Sequence, residues 1–255
     1  MERLITPLAP LLRIAYRLHD FASDFLVKHV FAVKRAILAL AHVSLFGLLF
    51  PDMRKEFGEL AANLLILILF ISPLSKIFRM RLLLQLMMLR RELGIMMGYL
   101  ATVHAVGYLI DPDWYAFIVT PMLTGNIWGE DPRYVFGLLA YALTLPLLLT
   151  SNALAQKYLG RKWKLLHRTV YIMFAFAIVH RFLVKGAPAY VILEIVLLLG
   201  SYGLAKALAW KNFLPTLSRI IQLIAEDYRR HKILSATPSF PKDQGSSNPS
   251  VPPAV

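Results

Sequence analysis

The sequence predicts an all-α polytopic membrane protein, a six-helix transmembrane bundle with an amphipathic N-terminal helix. Three observations predict it. Of the 255 residues 58% are hydrophobic and the mean hydropathy is +0.58, values hard to reconcile with a soluble domain. Six apolar runs are each long enough to cross a bilayer. The Lys and Arg residues, which give a formal net charge of +13, fall between these runs instead of gathering in one patch. They therefore report topology and exclude a nucleic-acid partner.

In chain order, residues 1–32 place Leu4, Leu8, Leu11, Leu12, Ala15, Leu18, Ala22 and Phe25 at helical spacing, with Arg13, Arg17, Asp20 and Asp24 on another face. This pattern predicts a helix lying in the inner leaflet or docking a partner, and its charges break up any signal-peptide core. The crossing runs follow at 33–50, 60–78, 92–110, 134–150, 164–184 and 188–210. After them, 217–233 reads as a short basic helix, and 235–255, rich in Pro, Ser and Gly, as a disordered tail. The chain thus divides at 1–32, 33–211 and 212–255, with no evident internal repeat.

Lys28, Lys34 and Arg35 flank the first run, Lys76, Arg79, Arg81, Arg90 and Arg91 the second connection, and Lys157, Arg161, Lys162 and Lys164 the fourth. The third connection instead carries Asp111, Asp113, Glu130 and Asp131 against Arg133. Basic loops stay on the cytoplasmic side, so both termini are expected there and the acidic loop outside.

The chemistry-bearing residues are histidines. With no cysteine, the chain has no thiolate cluster ligands, no disulfide and no CxxCH haem attachment. His104 lies ~20 Å along the third run from Arg91, and His180 ~24 Å along the fifth from Lys164, at 1.5 Å per residue. The two runs point the same way, so the depths match and the imidazoles can meet across one haem as its axial pair. Packed, hydrogen-bonded core histidines are the alternative. His167 could hold a second haem near the inner face, yet no histidine stands opposite it on the third run. The thirteen residues between His167 and His180 also leave the two pointing roughly 100–140° apart on a regular helix. His42, midway along the first run, could supply the other ligand or hydrogen-bond within the bundle, and the packing role is the favoured reading. Arg181 could pair with a haem propionate or snorkel. Arg90 and Arg91 could meet propionates or a flavin phosphate, although topology explains that basic pair equally well. No dinucleotide fingerprint, Walker loop, zincin motif or nucleophile elbow is present, so NAD(P)H oxidation is expected from a separate protein.

The stretch from Arg90 to Val184 contains, in order, RRELG leading into the His104 helix, then LPLLLTSN, then LGRKWKLLHRTVY leading to His167 and His180. This ordered set resembles the ferric reductase-like transmembrane family, and within it the haem-binding membrane subunits of the bacterial methionine sulfoxide reductase system. The resemblance implies His104, His167 and His180 as haem-iron ligands, one or two b-type haems, and FMN as a further candidate cofactor. It also implies a cytoplasmic flavin reductase as donor, an exported soluble molybdenum-containing reductase as acceptor, and the bacterial inner membrane as the location. On that basis 33–211 is expected to be a haem-binding domain in the lipid bilayer. Two rivals stay open: a transmembrane ferric or cupric reductase, and a haem-free transporter or structural subunit.

Overall fold

The computed structural model describes residues 9–125, 132–186, 189–210 and 226; it is helical, with no strand among those residues. The expected basic helix and tail beyond 211 lie outside the described residues, Glu226 apart. Ten α-helices follow in order: α1 (Ala9–Ser44), α2 (Arg54–Phe78), α3 (Arg81–Leu86), α4 (Arg90–Leu109), α5 (Pro112–Leu123), α6 (Pro132–Leu149), α7 (Ala153–Leu159), α8 (Arg161–Arg168), α9 (Val170–Lys185) and α10 (Ala189–Trp210). By length and composition five helical stretches can cross a membrane, and a sixth is reached if α3–α4 and the bent-back α5 count as one span. The protein is a multi-pass membrane protein.

Apolar side chains of α2, α4, α6, α9 and α10 meet in one core built on Leu65, Leu69, Met97, Leu100, Leu147, Met173 and Leu198. Helices in lipid are held by packing and by buried polar contacts, and both are present. Arg181 of α9 donates to Glu194 of α10 (2.7 Å) and to Asn63 of α2 (3.2 Å). Lys185 of α9 pairs with Glu59 of α2 at 2.7 Å. The Tyr202 hydroxyl of α10 donates to the Leu69 carbonyl of α2 at 3.2 Å. Pro146 stands inside α6, and hydroxyls cover the backbone around it: Thr150 donates to the Pro146 carbonyl and Ser151 to the Leu147 carbonyl, each at 2.6 Å.

Three features of the structure were not evident in the sequence. First, the boundary expected at residue 32 does not coincide with a helix end; α1 runs through it and kinks at His29, where φ is −118° and ψ 16°. The polar face of its N-terminal half docks on this chain's own α3. Ser23 donates to Gln85 (3.0 Å, both buried), the Leu82 amide donates to His19 Nε2 (3.3 Å), and Asp24 pairs with Arg81 (3.0 Å).

Second, the acidic third connection is not a simple loop. The chain bends by 87° and continues as α5. Asp111, preceding Pro112, is held extended; its side chain accepts from the Asp113 amide (3.2 Å), and proline fills the first helical position. Arg54 locks this corner, donating to Asp111 (2.8 Å), to the Gly107 carbonyl (2.9 Å) and to the Pro51 carbonyl (2.7 Å).

Third, two helix pairs share a construction. The most extensively packed helix pairs are α2 with α4 and α6 with α9. In each pair the first helix has an arginine in its first turn and the second carries a histidine near its end. Arg54 and His104 are 50 residues apart, Arg133 and His180 47.

Candidate functional site

His104 and His180 face each other from these two pairs, with ring centres 6.3 Å apart and planes inclined at 65°. Depth matching along the two runs brings together the residues that the structure brings together. Each ring is oriented by a backbone carbonyl: His104 Nδ1 lies 2.8 Å from the Arg54 oxygen, and His180 Nδ1 lies 2.7 Å from the Arg133 oxygen. A carbonyl only accepts, so Nδ1 carries the proton in both rings and Nε2 keeps the lone pair. Metal-binding histidines are commonly oriented in this way.

The pair borders a cavity of about 300 Å³, at the small end for a ligand site. Its walls include small residues, among them Gly58, Ala61, Ala101, Ala105, Gly137 and Ala177, contributed by α2, α4, α6 and α9. α5 folds over one side and adds Trp114 and Ile118. Tyr108 meets His104 edge-on at 5.2 Å, Trp114 meets Tyr108 edge-on at 5.2 Å, and Tyr134 lies 5.9 Å from Trp114. These rings pack against the His104 side of the cavity. Lys55, Arg133, Arg181 and Lys185 supply positive charge around the cavity, with Glu59 as the acid among them.

The geometry fits a metal macrocycle. Two imidazoles with ring centres 6.3 Å apart, each with Nδ1 committed to a carbonyl, would leave both Nε2 atoms available to a metal held between them. Among the described residues there is no group of three or more His, Cys, Asp and Glu side chains able to hold a bare ion. Two axial imidazoles alone suit a metal that brings its own equatorial donors.

The other sequence-predicted residues lie elsewhere or are otherwise engaged. His167, in α8, stacks on Trp163 with ring centres 3.9 Å apart. Its Nε2 lies 3.2 Å from the Thr150 hydroxyl, which also lies 2.6 Å from the Pro146 carbonyl. Which of the two supplies the proton in the His167–Thr150 contact depends on the tautomer of His167. The imidazole pair that stands in ring contact is His104–His180. Arg181 lines the cavity, but its charge is engaged by Glu194 and its buried Nε has no partner. Arg91 is half exposed and pairs at 2.9 Å with the buried Glu92, which Lys34 also approaches at 3.8 Å. Arg90 places Nη1 4.0 Å from Met87 Sδ, and its Nε is buried without a partner. His42 acts within the bundle, its Nδ1 2.7 Å from the Leu38 carbonyl and its Nε2 3.3 Å from the Tyr99 hydroxyl.

Sequence reasoning missed Gly58 and Gly137. A Cβ on Gly58 would come within 2.5 Å of the His104 ring, and one on Gly137 within 2.9 Å of the His180 ring. Each glycine stands four residues after the arginine whose carbonyl holds that ring. The signal was in the sequence, as RKEFG at 54–58 and RYVFG at 133–137. Gly98 serves a close helix approach, since a Cβ there would meet Leu148 at 2.9 Å; Gly94 faces open space.

Residues 57–178, just under half of the chain, match the family described as "Ferric reductase like transmembrane component". The ferric reductase-like segment contains His104 and His167, and His180 stands two residues beyond it. The protein-methionine-sulfoxide reductase heme-binding subunit MsrQ of Cronobacter sakazakii is 30% identical over 129 residues, which is 51% of this chain and 62% of that protein. The MsrQ of Brucella ovis is 33% identical over 148 residues, 56% of this chain and 64% of its own length. That of Agrobacterium fabrum is 28% identical over 156 residues, 58% and 67% respectively. The alignments thus span somewhat more than half of this chain and about two thirds of the relatives. No solved structure matches it.

Proposed function

We propose that the chain is a b-type cytochrome subunit of the bacterial inner membrane that passes electrons from a cytoplasmic reduced flavin to an exported methionine sulfoxide reductase. The observation that carries this reading is the His104–His180 pair, 6.3 Å apart with both Nδ1 atoms tied to carbonyls. The relatives' printed name, heme-binding subunit of a methionine sulfoxide reductase, supports the cofactor and the system. Bound haem supplies a reversible one-electron couple, and two axial imidazoles favour electron passage over oxygen binding.

The chain's residues provide position and environment. His104 and His180 present Nε2 from opposite walls. The small side chains of α2, α4, α6 and α9 leave room for a flat ring, and Trp114 and Tyr108 pack on the His104 side of the cavity. Lys55 has no ion-pair partner among the described residues and is the cation best placed at the cavity for a propionate; Arg181 is offset by Glu194. The distribution of Lys and Arg supports cytoplasmic termini, with the 111–133 connection outside. Exposed Arg161, Lys162 and Lys164 then form the cytoplasmic surface on which a flavin phosphate, FMN included, would settle. We assign the haem-binding domain to 33–211 and one haem to the histidine pair. The alternative of ferric or cupric reduction at the acidic connection is disfavoured because Asp111 is committed to Arg54 at 2.8 Å.

The purified protein is expected to give a low-spin b-type reduced-minus-oxidised spectrum. Its haem should extract fully into acidified organic solvent, since the chain has no cysteine for covalent attachment. A colourless preparation from cells supplied with ample haem would contradict the reading.

A further inference from the structure

Both histidines are received by the same construction. α2 opens with Arg54-Lys55-Glu56-Phe57-Gly58 and α6 with Pro132 followed by Arg133-Tyr134-Val135-Phe136-Gly137. In each, the arginine carbonyl accepts the imidazole Nδ1–H of the histidine near the end of the packed partner helix, at 2.8 and 2.7 Å. The glycine one turn later sits beneath the ring, where a methyl group would collide with Nδ1 itself: the nearest ring atom is Nδ1 at 2.5 Å for Gly58 and at 2.9 Å for Gly137. The phenylalanine anchors the turn. Phe57 packs on the bundle core, and Phe136 lies 6.1 Å from Phe176 of α9. Chance placement of one glycine under one histidine is unremarkable in a helix bundle, whereas the same four-residue offset, carbonyl and ring nitrogen used twice is a matched device.

We propose that the R-x-x-F-G turns at 54–58 and 133–137 are paired positioning elements that fix the tautomer and ligand strength of His104 and His180, and through them set the reduction potential of the haem. The inference rests on the cytochrome reading above. A hydrogen bond from Nδ1–H to a carbonyl makes the imidazole a stronger donor to iron and favours the oxidised state. The bond to His104 is further set by the Arg54 side chain. Its three hydrogen bonds, to Pro51, Gly107 and Asp111, and its stacking 4.9 Å over Tyr108 fix the first turn of α2 against the end of α4. Arg133 lies 5.0 Å over Tyr134. Arg54 and Arg133 are positioning residues; their main chains hold the ligands.

Redox titration of the haem in intact protein separates this role from general electrostatics. Arg54→Lys keeps the charge and loses the fork; the account predicts a shift to more positive potential and a changed low-spin EPR signal. Arg54→Gln removes a cation, which by charge alone would lower the potential, whereas a loosened Nδ1–H bond raises it. Gly58→Ala and Gly137→Ala push the ring off its carbonyl and are expected to shift the potential the same way or to weaken haem retention about 10–100-fold, the usual cost of losing an outer-shell partner. Gly94→Ala, with nothing near its added methyl, should leave potential and spectrum unchanged. Loss of haem from a glycine variant of unaltered helicity, with Gly94→Ala intact, supports the proposal. An unchanged potential in Arg54→Lys together with a lowered one in Arg54→Gln, or glycine variants indistinguishable from Gly94→Ala, overturns it. A wild-type chain that binds no haem would instead mean that the cytochrome reading itself had failed.

Discussion

His104→Ala and His180→Ala are each expected to leave the purified chain nearly devoid of the haem bound at the pair, and the double variant to be no worse than either single one. The two rings stand on opposite walls of one cavity, 6.3 Å apart between centres, so each variant removes half of one coordination axis. Residues acting as a unit give non-additive losses. Each substitution removes one ring–carbonyl hydrogen bond, at a cost of about 1 kcal/mol. The fold should therefore persist, with helicity measured alongside haem content. His167→Ala is the informative contrast. With Nε2 3.2 Å from the Thr150 hydroxyl and its face on Trp163, His167 holds a connection together. Its loss should leave the haem content of the pair intact. If His104→Ala and His180→Ala lost haems of different potential, the shared site would be refuted.

The second large effect concerns electron input. NADPH alone should leave the haem oxidised, whereas NADPH with a separate flavin reductase and flavin should reduce it faster by orders of magnitude, because no dinucleotide fingerprint follows any segment of this sequence. The accelerated rate should fall as salt rises. Arg161, Lys162 and Lys164 are exposed around α8, and their attraction for an anionic flavin is screened as the Debye length shrinks from about 10 Å at 0.1 M to about 3 Å at 1 M. Reversing these charges to glutamate should slow reduction without changing haem content. Stopped-flow recording of haem absorbance measures both. Rapid reduction by NADPH with flavoprotein rigorously absent would contradict the relay.

Much of this was legible in the sequence, for a physical reason. A membrane imposes one length scale on every span, so counting residues from the basic flanks placed His104 and His180 at matching depth before any packing was known. The same counting could not orient the rings, since rotation about the helix axis is decided by packing. The tautomers of His104, His167 and His42 follow from which backbone or side-chain oxygen each happens to meet. The α5 corner was hidden because an acidic, proline-containing stretch reads as loop, while the Arg54–Asp111 contact that makes the bend joins residues 57 positions apart. Continuity of α1 through residue 32 was hidden similarly, because the face that reads as amphipathic docks on α3 through Ser23 and Gln85, a contact spanning 62 residues. The R-x-x-F-G repeat stood in plain view at 54–58 and 133–137. Two short matches 79 positions apart acquire meaning only when both glycines are found beneath imidazoles.

Low-temperature EPR of the oxidised, purified protein tests the central claim most directly, because its signal reports on the ligands of the iron. One haem held between His104 and His180 predicts a low-spin ferric signal of bis-imidazole type, with the broad, high-g feature expected of planes inclined at 65° and not the rhombic set of parallel rings. A predominantly high-spin signal, or a low-spin signal that persisted in His180→Ala, would contradict it.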